Sequence, residues 1–155
     1  LCRQALRIRD RQAVRPLAET ADILHTLAAI RMATARMADA LPFMEQAVAA
    51  WEEDSGREHF VLAMPLLALG TVYSALERYK DAETALKRAL AIVEASAGPD
   101  HFLAGEILTR YAGVLRNVRR KSEARQLEKR AQAIERRHAG ENLLGQSVDF
   151  RDLRR

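Results

Sequence analysis

The sequence predicts an all-α fold, a solenoid of antiparallel helix pairs, and three observations predict it. First, the chain repeats itself with a period of 42: residues 56–97 lie on 98–139 without a gap, and 13 positions match. Only four of those 13 are alanine, so composition does not produce the match. Gly56/Gly98, His59/His101, Phe60/Phe102, Leu66/Leu108, Val72/Val114, Arg78/Arg120, Lys87/Lys129 and Arg88/Arg130 carry it. Second, residues 14–55 fall in the same register, through Leu24/Leu66, Leu27/Leu69, Arg36/Arg78, Asp39/Asp81, Ala40/Ala82 and Ala47/Ala89. Third, Ala, Leu, Arg and Glu dominate while only 5% of residues are aromatic, which is the chemistry of helix formers. A fixed period of this size marks stacked units that bury their apolar faces against one another.

Composition narrows the class. Hydrophobic content of 48% with 30% charge fits a soluble globular chain. One cysteine, Cys2, allows no internal disulfide, so nothing points to an oxidising compartment, and no signal peptide opens the chain. The longest uncharged run, residues 60–76, contains Pro65, Thr71, Tyr73 and Ser74 and is too short for a membrane span of about 20 residues. A cytoplasmic protein without membrane contact is the expectation. The net charge of +4 hides an asymmetry: residues 1–15 carry +4, residues 16–115 carry −6 and residues 116–155 carry +6.

Residues 1–13 align with the second helix of a unit, because Ala5, Leu6 and Ile8 stand 84 positions before Ala89, Leu90 and Ile92. They read as the end of a unit whose first helix is missing. Pro16 should open the next helix in its first turn, where a missing N–H costs little. Residues 14–55 form the first full unit, with Leu17, Ile23, Leu24, Leu27 and Ile30 at helical spacing. Its second helix should run from about Ala38 to Glu53, with Pro42 in the first turn. Ser55-Gly56 ends it with a C-terminal glycine. The second unit, 56–97, pairs helices near 60–76 and 79–95, and Pro65 should kink the first or delay its start. Glu83 and Lys87 make an i,i+4 pair of favourable orientation. Gly98-Pro99-Asp100 stops one helix and restarts the next. The third unit, 98–139, pairs helices near 102–118 and 122–138. Gly140 should end it and leave 140–155 as a tail, whose Leu143, Leu144, Val148, Phe150 and Leu153 suit folding back as a cap.

The run Leu66-x-x-Leu69-Gly70-x-x-Tyr73…Ala82-x-x-x-Leu86-x-x-Ala89 resembles the tetratricopeptide repeat, and the other units follow it. Small residues at Ala28, Gly70 and Ala112, and at Ala40, Ala82 and Ala124, would let two helices approach closely. The 42-residue length and the Gly98-Pro99-Asp100-His101 linker resemble the kinesin-light-chain version of that repeat. The resemblance implies a right-handed superhelix whose first helices line a concave surface. It also implies a non-catalytic scaffold that binds a peptide or protein segment there. On that resemblance the groove residues are His25, Met32, Met64, Leu67, Thr71, Ser74, Thr109, Arg110, Arg116 and Asn117. The paired asparagines that hold peptide backbone in the kinesin-light-chain form are absent: His25-Thr26, Leu67-Ala68 and Thr109-Arg110 stand there. A regulatory or spacer arm contacting a neighbouring domain is the alternative.

Other constellations reduce to structure. His59 and His101 repeat, but no third ligand recurs beside them, so a helix-start hydrogen bond is expected and no metal or cofactor. Glu52-Glu53-Asp54 point different ways on a helix and read as a solvated helix end, not an acid/base pair. No nucleophile elbow or phosphate loop is present, so the reading is not an enzyme. The basic run from Arg116 to Arg137 lacks interleaved aromatics, which favours a solvated terminal face over nucleic acid. Glu128, standing where Leu86 and Met44 stand in the other units, fits a polar outer surface on a last repeat. Self-association through an exposed terminal repeat or the tail remains open.

Overall fold

A computed structural model describes the backbone of residues 2–145 and the side chains of residues 17–140. Its helices are α1 (Cys2–Ala33), α2 (Met37–Ser55), α3 (Ala63–Ala75), α4 (Tyr79–Ala97), α5 (Phe102–Asn117) and α6 (Lys121–Gly145), with a 3-10 turn at Phe60–Leu62 before α3. Among the described residues there is no strand. α1 packs on α2, α3 on α4 and α5 on α6, while α2 meets α3 and α4 meets α5. α3 and α5 also touch directly. Of the first helices, α3 and α5 therefore line the inner side of the helix-pair solenoid.

The turn inside each pair repeats in detail. Ala35, Glu77 and Arg119, spaced by 42, all adopt left-handed φ of 57°, 60° and 64°. The following N–H, from Arg36, Arg78 or Arg120, donates five residues back, to Arg31, Tyr73 or Leu115. This is the Schellman way of ending a helix, here without glycine. Each of those arginines then pairs with a carboxylate three residues on: Arg36 with Asp39, Arg78 with Asp81, Arg120 with Glu123.

Between units, Gly56 and Gly98 hold φ of 89° and 92°, which L side chains rarely adopt. The expected break near residue 13 does not occur, because α1 runs unbroken through Pro16. The register puts Val14 where Gly56 and Gly98 stand, and a β-branched residue resists that turn, so the helix continues. α6 likewise passes Gly140 and is helical as far as Gly145, the last described residue. Pro42 lies in the second turn of α2, one turn deeper than expected. Pro65 does delay its helix: the 3-10 turn comes first and α3 starts at Ala63. The cap expected of the tail concerns side chains outside the described residues.

Large side chains such as Met44, Leu86 and Ile107 fill the core, and small residues let the helices close on it. Ala28, Ala40, Ala82, Ala112 and Ala124 are buried, as are Ala47, Ala89 and Ala131 toward the next pair. At Gly70 the approach is closest: an added Cβ would lie 2.6 Å from Leu86 Cγ.

Candidate functional site

Where α3 and α5 come together on the inner side, a groove of about 510 Å³ opens. Thr71, Ser74, Thr109, Arg110, Arg116 and Asn117 line it, over Gly70, Ala75, Leu86 and Val114. It continues toward α6 as a second hollow of about 300 Å³, sharing Thr109, Gly113 and Arg116 and adding Glu128, Gln132 and Glu135. The centre is apolar and the far end charged. Two threonines are committed to their own helices: Thr71 donates to the Leu67 carbonyl and Thr109 to the Gly105 carbonyl, each at 3.0 Å. Arg116 sits 2.5 Å from Glu128. Arg110 is exposed and makes no ion pair among the described residues.

The remaining anticipated groove residues are elsewhere. Leu67 is buried in the core, because α3 has α2, α4 and α5 around it. His25 stands edge-on to Trp51 with ring centroids 5.4 Å apart, so it packs between α1 and α2. Met32 is half-buried against the core, and Met64 is 52% exposed near the start of α3.

The repeated histidines do cap helix starts: His59 Nδ1 accepts from the Val61 N–H and His101 Nδ1 from the Leu103 N–H. Among the described residues no group of three metal-ligating side chains gathers. None of the helices among them is long and apolar enough to cross a membrane.

Two features escape a reading of the sequence alone. The first is a clamp repeated at period 42. Arg88 pairs with Glu52 and donates to the Arg57 carbonyl; Arg130 lies 2.6 Å from Glu94 and donates to the Pro99 carbonyl. Glu52 is thus an inter-unit anchor, not a solvated helix end. The detectable signal was an Arg 36 positions after a Glu, twice. Nor is the basic run a bare solvated face: Arg116, Arg120, Arg130 and Arg137 all meet carboxylates. Glu128 faces the groove side, contrary to the outer surface expected of it.

The second is Glu83 on α4. It accepts from Tyr111 Oη at 2.8 Å and Arg120 Nη1 at 2.9 Å, with Lys87 Nζ at 2.7 Å. Burial pushes its carboxyl up, but the hydrogen bonds from Lys87, Tyr111 and Arg120 prevail and hold it at about 2. Between the preceding units, Tyr73 Oη donates to Glu45 at 2.6 Å. Burial and that bond push the Tyr73 phenol up to about 12.

The profile of the tetratricopeptide repeat matches residues 19–95 and again 66–137. Among solved structures, the crystal structure of BtubC (BKLC) from P. vanneervenii is similar, with a TM-score of 0.70 at 20% identity. The similarity covers 77% of this chain and 48% of BtubC, so the chain spans about half of that protein's length. No protein with a curated description matches.

Proposed function

The chain belongs to the tetratricopeptide-repeat family, whose repeats mediate protein–protein contacts and are generally non-catalytic, and on that premise we propose that it is a scaffold binding a peptide or protein segment in the concave groove. The observation that carries this reading is Arg110. An exposed guanidinium without an ion pair among the described residues stands at the edge of a hollow over Gly70, Ala75, Leu86 and Val114. A segment with apolar side chains and an acidic group suits such a site, since the acid gains a charge-assisted bond while the apolar part leaves water.

Panning a displayed peptide library against the protein tests it. Acidic-plus-apolar sequences should be enriched, and Arg110→Glu should weaken their binding at least ~10-fold, about 1.4 kcal/mol. No enrichment, or enrichment indifferent to that change, would remove the groove reading. The second reading, a spacer or regulatory arm, draws on the clamps at Arg88 and Arg130, which fix unit to unit. It gains ground if the groove selects nothing.

A further inference from the structure

On α1, Ile23, Leu27 and Ile30 recur at four- and three-residue spacing and form an apolar stripe that is 62%, 38% and 55% exposed. Their register mates are buried in both later units: Pro65, Leu69 and Val72 on α3, Ile107, Tyr111 and Val114 on α5. The difference is what lies on them. α2 covers α3 and α4 covers α5, so each cover is the second helix of the preceding unit. The chain holds a segment of that type: residues 2–13 stand 84 positions before 86–97 of α4, with Ala5, Leu6 and Ile8 in the register of Ala89, Leu90 and Ile92. α4 lies back along α5 because Gly98 turns the chain between them. Residues 2–13 make no such turn and share one continuous helix with the stripe. A segment collinear with a stripe cannot cover it, but it can cover the same stripe on another molecule.

We propose that two copies of this chain pair through α1 as an antiparallel two-fold dimer, residues 2–13 of each lying along residues 17–28 of the other and covering Ile23 and Leu27 of the stripe. The α4–α5 junction supplies the register. There Lys87 Nζ lies 5.8 Å from the centroid of the Tyr111 ring, and moving both positions back by 84 sets residue 3 beside residue 27 of the second copy. The two-fold axis then falls near residue 15. Charge agrees, since residues 1–15 carry +4 while Glu19 and Asp22 are exposed beside the stripe, and this register brings Arg9 and Arg11 level with them. The contact is isologous: each copy gives one arm and receives one, so the dimer closes. It lies on a different surface from the groove and does not rest on the groove reading.

Light scattering after size exclusion, at tens of micromolar protein, should give a dimer. Ile23→Glu with Leu27→Glu should return a monomer with unchanged helical circular dichroism, because both side chains are exposed. Spin labels on Cys2, the chain's one cysteine, then read the orientation. With 1.5 Å rise per residue and the axis near residue 15, the labels should lie about 40 Å apart. A monomer at those concentrations overturns the proposal. So does a dimer that survives the double change, or one whose Cys2 labels lie within about 20 Å, as parallel pairing requires.

Discussion

Leu86 and Glu128 occupy the same position in consecutive units, and around them the two units diverge. In the earlier one Leu86 is fully buried beneath Gly70, which has no Cβ to obstruct it. In the later one Ala112 stands in place of Gly70, and a half-buried Glu128 reaches Arg116 instead. What does not diverge is the joinery: histidine caps, left-handed turns and arginine clamps recur 42 residues apart. The period thus preserves how units are joined, while the floor of the groove is free to vary. That freedom lets one framework present an apolar centre and a charged end.

The largest break in this contrast should come from emptying both positions. Leu86→Ala removes a fully buried side chain and should cost about 2–5 kcal/mol in urea unfolding. Glu128→Ala, which loses a half-exposed ion pair, should cost under about 1 kcal/mol. Equal losses would mean that the last unit carries as much of the core at this position as the middle one.

Gly70→Ala comes next. Alanine gains about 1 kcal/mol of helix propensity, but its Cβ would lie 2.6 Å from Leu86 Cγ and 2.8 Å from Cδ2. Overpacking of that kind costs about 1–3 kcal/mol, so the net change should be destabilising. Pairing it with Leu86→Ala should reverse the sign, since the clash partner is gone; a double variant as damaged as the sum would refute the packing account.

Much of this architecture was legible before any coordinates. Gly56, Gly98, His59, His101 and the buried alanines are local or strictly periodic signals, and each does the job its position implies. The failures share a physical cause. Val14 stands where the other linkers have glycine, so the register alone predicts a break that the backbone does not make. Leu67 shares its register with exposed Thr109 but is enclosed on three sides, which periodicity cannot report. Glu83 gathers partners 28 and 37 residues away, and neither spacing matches the period. In the groove, Thr71, Ser74, Thr109, Arg110, Arg116 and Asn117 do come together, whereas His25 is taken up by Trp51.

Glu83 also provides the pH test. Its folded-state carboxyl, near 2, lies below an unfolded value of about 4.3. The stabilisation it gives is therefore complete above about pH 5 and is lost as pH falls toward 2. Glu83→Gln should cost about 2 kcal/mol at pH 7 and flatten the stability profile between pH 5 and 2. The corresponding junction one unit earlier joins Glu45 to Tyr73 alone among the described residues, so Glu45→Gln, which loses one hydrogen bond, should cost about 1 kcal/mol at pH 7. If both variants lose the same stability at pH 7, the two junctions are alike and the contrast drawn for them fails.

The smallest expected effect concerns the feature that the two units share. Arg88 and Arg130 perform the same clamp, but Arg88 hydrogen-bonds its carboxylate and keeps 27% of its side-chain surface exposed, against 39% for Arg130. Glu94 Oε1 is buried and accepts no aligned hydrogen bond, although Arg130 lies 2.6 Å from it. Bond alignment, more than distance, sets the strength of such a contact. Arg88→Met should therefore cost about 1–2 kcal/mol and Arg130→Met less than about 1 kcal/mol, measured at moderate salt. Raising ionic strength should erode the Arg130 effect first, because the more exposed pair is the better screened. The reverse order would show that the last clamp carries the load, and that the extra grip of Arg137 and His138 on Asp100 reinforces it.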